Sequence, residues 1–288
     1  MKRIAVWLLM TTMLLIGVGG LTGCSERRPA TSEEEKNDST LTDSTTTEAE
    51  DSEEELISDT PMPKAAEEYF DDFFFNFAAN RKLQLARVKF PLLVVDGDTR
   101  TTMSRGQWKM DNFFLRQGFY TQIFDNQRQA DEAKEPTVSH VVLERIHLAE
   151  DRVERFFFDR QKAGVWMLTE LRKESVDQNV NASFLSFYSR FVGDSAFQVQ
   201  SLDDRVTFSS PNPDDEFETQ TGEIVPDQWP MFKPDLIPAG IIYNIVYGDQ
   251  PAGSNQKIFL TRGIANGMES QMLFRKKAGR WKLVEFSN

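Results

Sequence analysis

The sequence contains very few of the residues that carry most nucleophilic and metal chemistry. Its 288 residues include one cysteine, Cys24, and two histidines, His140 and His147. A single cysteine excludes a disulfide within the chain, so the folded part has to be held by its own core. The two histidines are seven positions apart in one predicted strand and therefore on opposite faces, which disfavours a shared metal. We expect no metal centre and no cofactor.

The short motifs of the common enzyme classes are absent as well. The sequence has no Gly-x-Ser-x-Gly, no Walker loop, no His-Glu-x-x-His and no dinucleotide fingerprint. We therefore assign no catalytic residue. From Pro61 onward, 32 acidic and 28 basic side chains leave a net charge of −4, which disfavours a basic nucleic-acid-binding patch.

The start of the chain has the parts of a secretory signal. Met1-Lys2-Arg3 precedes an uncharged apolar run from Ile4 to Gly20, which is shorter than the roughly 20 residues that span a bilayer. Leu21-Thr22-Gly23-Cys24 follows directly and resembles the lipobox of bacterial lipoproteins. The resemblance implies a signal peptide over residues 1–23, cleavage before Cys24, and acylation of that cysteine with chains such as palmitate. The alternatives are an ordinary cleaved signal and an uncleaved anchor.

An acidic segment follows the cysteine. Residues 25–60 contain 13 acidic and three basic side chains and no aromatic residue. Such a composition cannot bury enough apolar surface to offset its ordering entropy, so residues 24–60 are predicted to be a disordered, lipid-anchored linker. Glu33-Glu34-Glu35 resembles the acidic signal that takes some Gram-negative lipoproteins to the outer face of the outer membrane. The alternative is that these residues only keep the linker soluble. We expect a lipid-anchored protein of the cell envelope.

The rest of the chain contains an internal duplication. Aromatic residues at i, i+3, i+4 and i+7 predict one helical face twice, 114 residues apart. The two sets are Phe70, Phe73, Phe74, Phe77 and Phe184, Phe187, Tyr188, Phe191. Trp108 recurs as Trp229, Tyr120 as Tyr243, and the segment 162–170 as 277–285, all in the same order. We interpret residues 61–175 and 176–288 as two homologous units.

Each unit is predicted to be α+β, with an N-terminal aromatic-faced helix packed on a curved antiparallel sheet. Alternating residues from Val141 to Leu148 predict a strand, and Lys162-Ala163-Gly164 and Lys277-Ala278-Gly279 predict hairpin turns. A helix, a run of strands and a final Gly-x-Trp-x-Leu strand resemble the cone fold of nuclear transport factor two and ketosteroid isomerase. The arrangement also resembles that of envelope lipoproteins of anaerobic Gram-negative bacteria whose domain has no known function. Each unit shows one clear N-terminal helix, where three are common in that fold.

The resemblance implies a concave pocket in each unit. Trp108, Tyr120, Trp229 and Tyr243 are the candidate pocket-lining residues because they recur in both units, and core packing is the alternative. The preferred hypothesis is a non-enzymatic module that binds a small molecule, glycan or envelope protein. The alternatives are an isomerase or dehydratase with a buried carboxylate, and a purely structural protein. We expect a monomer in which the two units form an intrachain pseudo-dimer.

Overall fold

The computed structural model describes residues 68–132, 138–212, 214–248 and 253–288. All of them belong to one compact unit that extends from Met62 to Asn288. The predicted signal peptide, Cys24 and the whole acidic segment lie before this unit, outside the described residues. None of the helices in the described ranges is long and apolar enough to cross a membrane.

The two predicted aromatic helices are present, and each is followed by a second, shorter helix. The helices are α1 (Phe70–Ala79), α2 (Arg81–Arg87), α3 (Gln127–Glu132), α4 (Ala182–Gly193), α5 (Ser195–Gln200) and α6 (Trp229–Phe232), with 3₁₀ turns at Phe113–Arg116, Val176–Gln178 and Pro226–Gln228. Asn80 and Asp194 have extended backbones that end α1 and α4, and their side chains cap the next helix by accepting from backbone N–H groups. The sequence therefore breaks both helices at the same place.

Within the described ranges, twelve strands form one sheet. They are β1 (Val88–Asp96), β2 (Thr99–Met103), β3 (Phe119–Phe124), β4 (His140–His147), β5 (Arg152–Arg160), β6 (Trp166–Ser175), β7 (Leu202–Asn212), β8 (Asp215–Ile224), β9 (Ile241–Tyr247), β10 (Gln256–Gly263), β11 (Glu269–Lys277) and β12 (Arg280–Ser287). Their order is β2-β1-β6-β5-β4-β9-β3-β10-β11-β12-β7-β8. Counted from the two edges toward the middle, β2-β1-β6-β5-β4 and β8-β7-β12-β11-β10 follow the same order. Six strands come from the earlier part of the chain and six from the later part.

The two middle strands are exchanged. β4 pairs along its length with β9, and β10 pairs along its length with β3, although β3 precedes β4 and β9 precedes β10 in the chain. β3 and β9 meet each other only between Thr121 and Asn244. Each part of the sheet therefore contains one strand from the other side of the predicted boundary at residue 175, β9 in the earlier part and β3 in the later part. The division into units 61–175 and 176–288 stays a prediction.

The sheet is mixed, so the expectation of an antiparallel sheet is wrong for three pairs. β1 runs parallel to β6, β12 parallel to β7, and β3 parallel to β9. The hairpin patterns in the sequence predict only neighbours that are close in the chain. The parallel pairs join strands separated by long stretches of chain, for which no local pattern exists.

Two large clusters of buried side chains pack against the sheet. The first core contains Phe70, Phe73, Phe74 and Phe77 of α1, and also Tyr243 and Ile245 of β9. The second core contains Phe184, Tyr188 and Phe191 of α4, and also Ile123 of β3. The helical faces are buried as predicted, and each core is completed by the exchanged strand. A fully buried phenylalanine contributes roughly 1.5–3 kcal/mol, so these faces dominate the stability of both cores.

The predicted closing hairpins are confirmed. β11 and β12 are joined at Ala278 and Gly279, whose φ angles of 48° and 77° are the positive pair that a two-residue hairpin needs. β5 and β6 are joined through a loop in which Gly164 has a φ of 78°. In both final strands the tryptophan and the leucine two positions later are buried on one face, as the alternation predicts.

Candidate functional site

The two recurrent tryptophans are core residues held by glutamines. Trp108 donates from Nε1 to Oε1 of Gln84 over 3.1 Å, and Trp229 donates to Gln198 over 2.9 Å. Each glutamine in turn donates to a carbonyl oxygen at the end of the preceding aromatic helix. Trp108 is 7% exposed and Trp229 is 1% exposed. The structure therefore places both candidate residues in packing positions, where each buried indole N–H has a partner.

Tyr243 belongs to a charged cluster that closes one end of the first core. Its hydroxyl accepts from Nε of Arg145 over 2.9 Å. The same guanidinium donates to Glu154 over 2.9 Å and to Asp111 over 2.5 Å. It also lies over the ring of Phe156, with its Cζ 5.2 Å from the centroid. One arginine thus fills the space between the sheet and the aromatic side chains.

The charge of Arg145 is fully compensated. Burial alone would lower the pKa of its guanidinium, but the hydrogen bond to Asp111 and the charges of Asp111 and Glu154 outweigh burial and raise it. Burial raises the pKa of the Tyr243 phenol, and the neighbouring Arg145 partly opposes that effect. The cluster consists of one cation, two carboxylates and a phenol, and both carboxylates bond to the same guanidinium.

The sheet register identifies the matching positions beside the second core. Phe158 pairs with Leu168 and Phe274 pairs with Leu283, in each case two residues after the tryptophan of the last strand. Counting back along the ladders from these anchors places Thr261 where the first core has Arg145. The complete correspondence is Glu154, Arg145 and Tyr243 against Ser270, Thr261 and Thr121. Three hydroxyl side chains therefore stand in the second core where the first has a charged cluster.

A cavity of about 710 Å³ opens beside Ser270, and neither Thr261 nor Thr121 lines it. We call it the α6 cavity because α6 and the segment after it form one wall. Its apolar lining includes Phe208, Met231, Phe232, Leu236, Met268 and Phe286. Its polar lining includes Ser209, Ser210, Gln220 and Ser270, and its charged lining is Lys233, Asp235 and Glu269. Met231 is 83% exposed at the rim, whereas Ser270 is 8% exposed. The size and the mixture of apolar and polar groups are those of a small-molecule site.

Tyr120, the fourth candidate, lies between α1 and the sheet. The ladders place Thr121, not Tyr120, at the position that matches Tyr243, so the predicted equivalence of the two tyrosines is wrong. Its ring stacks on Phe114 at a centroid distance of 5.1 Å, and it stands opposite Arg262 in the ladder. Burial raises the pKa of its phenol. Beside it, a smaller cavity of about 340 Å³ includes Arg262, Tyr247 and Asp71, and Tyr247 donates to Asp71 over 2.6 Å. None of the four candidate aromatics lines the α6 cavity, as far as the described ranges extend.

A buried carboxylate lies at the middle of the sheet. Glu144 of β4 is fully buried, and its two oxygens accept from Asn179 and Asn244, each over 2.8 Å. Nε of Arg155 lies 3.3 Å away. Asn244 also accepts from the backbone N–H of Ile123, which ties the exchanged strands together. Every oxygen of Glu144 is occupied by protein donors, so the residue serves packing and strand placement.

A buried lysine extends the same network. Nζ of Lys257 bonds to Asp125 and, over 2.5 Å, to Oδ1 of Asn181. The backbone N–H of Asn181 donates to Asn179, which bonds to Glu144. The charged groups between the two cores thus form one continuous network. Such a network specifies one arrangement of the strands, because any other pairing would leave buried charges without partners. Across the described ranges, no three His, Cys, Asp or Glu side chains are placed to hold a metal.

The sequence interpretation missed the α6 cavity and the arginine cluster. The signal for Arg145 was visible, because two charged residues interrupt an otherwise apolar strand at Glu144-Arg145. The signal for the cavity was the difference between the halves at matched positions, with Arg145 in one and Thr261 in the other. That difference can be used only once the strand register is known.

The fold and the cavity define the class of protein. A solved structure of an NTF2-like protein from Bacteroides fragilis NCTC 9343 matches with a TM-score of 0.71 and 35% identity, covering 79% of this chain and 98% of that one. The fold is therefore NTF2-like, as the resemblance to the cone fold predicted. The chain belongs to the domain of unknown function family DUF4348, whose model matches residues 49–288. No curated protein matches the chain.

Proposed function

We propose that this protein is a non-enzymatic binding module of the cell envelope that takes a small molecule into the α6 cavity. The observation that carries the proposal is the contrast between the two cores. The first is closed by Arg145 and its partners, whereas the second has a cavity of about 710 Å³ lined by Ser270 and Phe232, which take the positions of Glu154 and Asp111. Pockets of roughly 300–1,000 Å³ with apolar walls and a few polar groups are typical of ligand sites.

The placement at a membrane is the second part of the proposal. A lipid on Cys24 anchors the chain, and residues 25–60 space the folded body from the bilayer. The folded body consists of two tandem units that form a pseudo-dimer within one chain. The exchanged strands β3 and β9 support that view.

The contacts of the cavity favour binding over isomerase or dehydratase chemistry. That chemistry needs a carboxylate inside an apolar pocket, where desolvation raises its pKa into a useful range. Of the two cavity carboxylates, Asp235 is exposed, and Glu269 is exposed and accepts from Nε of Arg262 over 2.9 Å. Glu144 is buried, but protein donors occupy its oxygens. Neither arrangement supplies a base that faces the cavity.

A thermal-shift screen tests the proposal. Glycans, lipids and bile-type steroids are added to the purified protein, and a true ligand raises the Tm with its concentration. Ser210→Trp fills the α6 cavity and is expected to abolish the shift. Ser139→Trp makes the same change at an exposed position outside the cavity and is expected to preserve it. No shift with any class of ligand, or an undiminished shift in Ser210→Trp, would refute binding in this cavity.

A further inference from the structure

We infer that the ligand of the α6 cavity has an apolar body and places an uncharged hydroxyl or carbonyl group at the inner end of the cavity. The first core takes no ligand. This inference rests on the proposed function of the cavity. It names the chemistry of the ligand from the side chains that replace the arginine cluster.

The two cores differ in charge at the positions that the strand register matches. In the first core, the guanidinium of Arg145 is held by Asp111, Glu154 and the Tyr243 hydroxyl. In the second core, Thr261, Ser270 and Thr121 take the positions of Arg145, Glu154 and Tyr243. Asp111 follows Trp108 by three residues, and the residue three after Trp229 is Phe232, which lines the cavity. All four positions are neutral in the second core.

The charged side chains that line the α6 cavity lie at its rim. Lys233, Asp235 and Glu269 line the α6 cavity and are all exposed, so they belong to its rim. The inner end is formed by Ser270 and Phe286, which are 8% and 2% exposed. A charged ligand group at that depth would lose its water without gaining an opposite charge, which is strongly unfavourable. A charged group is tolerated only at the rim.

The inner end of the cavity carries the hydroxyl of Ser270, and Thr261 is the neighbour of Ser270 in the sheet but does not line the cavity. Thr261 is fully buried, and among the described residues its Oγ1 has no hydrogen-bond partner. Ser270 stands directly opposite it in the antiparallel ladder, on the same face of the sheet. A hydroxyl both donates and accepts, so Ser270 can bond a neutral hydroxyl or carbonyl that enters the cavity.

Three probes with one aromatic body test the inference. 1-Pyrenemethanol is neutral, 1-pyrenecarboxylate is an anion and 1-pyrenemethylammonium is a cation, and fluorescence anisotropy gives each Kd and stoichiometry. We expect the neutral probe to bind one site per chain and both charged probes to bind at least about tenfold more weakly, because a buried charge there has no partner. Equal or tighter binding of a charged probe overturns the inference but leaves the proposed function standing. Binding of no probe counts against both.

A charge-specific variant pair locates the site. Ser270→Glu and Ser270→Gln insert side chains of the same size, and thermal unfolding verifies that both fold. Ser270→Glu is expected to shift the preference from the neutral to the cationic probe by at least about tenfold relative to Ser270→Gln, since it supplies the missing opposite charge. The same probe preference in both variants would show that the role of Ser270 is only steric, and it would overturn the inference. Binding of two probe molecules per chain would also overturn it.

Discussion

Arg145 on β4 donates from Nε to the Tyr243 hydroxyl on β9 over 2.9 Å, across the exchanged strand pair. Arg145 also forms ion pairs with both Asp111 and Glu154, over 2.5 and 2.9 Å. One side chain therefore closes the first core and joins the two parts of the chain.

Replacing this arginine is expected to destabilise the fold strongly. Arg145→Met keeps the apolar stem but leaves Asp111 and Glu154 without their cation, and breaking such a partly buried cluster costs about 3–5 kcal/mol. Urea unfolding measures the loss. The control is Arg205→Met, which removes an exposed ion pair with Glu223 and is expected to have little effect. Equal effects of the two substitutions would refute the structural role of Arg145.

The glutamines that hold the tryptophans are expected to be essential to their cores. Gln84→Leu leaves the Trp108 indole N–H and the Asp111 backbone N–H without their acceptor, at a cost of about 1–3 kcal/mol. Gln198→Leu is expected to cost a similar amount in the second core, where it releases Trp229. Gln127→Leu, at an exposed position, is the control. The free energies of unfolding decide the question, and a neutral Gln84→Leu would contradict the assignment.

The exchanged strands predict that neither half folds alone. A chain of residues 61–175 lacks β9, so β4 has no neighbour on one side and the first core lacks Tyr243 and Ile245. The chain 176–288 lacks β3 in the same way. We expect each fragment to be unfolded by circular dichroism, and an equimolar mixture to regain strand structure. Two independently folded fragments would show that the exchange is not required.

Acidification is expected to destabilise the protein through His147. Burial, and then the charge of Arg152, lower the pKa of this histidine from its ordinary value near 6.5. The folded state therefore binds the proton less tightly than the unfolded state, so stability is full above pH 6.5 and falls as the pH drops below it toward the folded pKa. His147→Gln removes this contribution. A stability profile with the same slope in that window for both proteins would contradict the prediction.

The membrane anchor is expected to depend on one residue. Metabolic labelling with a palmitate analogue should mark the protein in its native host, and Cys24→Ala should abolish the label because the chain has no other cysteine. Fractionation should then move the protein from the membrane to the soluble fraction, since the anchoring energy resides in the acyl chains. Label that persists in Cys24→Ala would contradict the lipoprotein assignment.

Local patterns in the sequence predicted local structure well. The spacing of Phe70, Phe73, Phe74 and Phe77 predicted a helix and its buried face, because that periodicity is a property of one segment. The final hairpins followed from Gly164 and Gly279 for the same reason. The exchange of β3 and β9 was not predictable, because nothing within a strand specifies a neighbour that is distant in the chain.

The candidate site was less predictable than the fold. Recurrence of an aromatic residue does not distinguish a pocket from a core, and Trp108 and Trp229 recur because both cores need them. The cavity lies instead where the halves differ, at Ser270, which takes the position of Glu154. Side chains that are small and neutral there carry no pattern of their own, so only the register reveals them.

The strand exchange also bears on how the protein is made. In a chain that emerges N-terminus first, β4 appears long before β9, with which it pairs in the folded sheet. At that stage β9 is missing while β3 is already present. The first half must keep β3 available for β10 until the whole chain has been delivered. The proposed export in an unfolded state would meet that requirement, because neither half is committed before the last strands arrive.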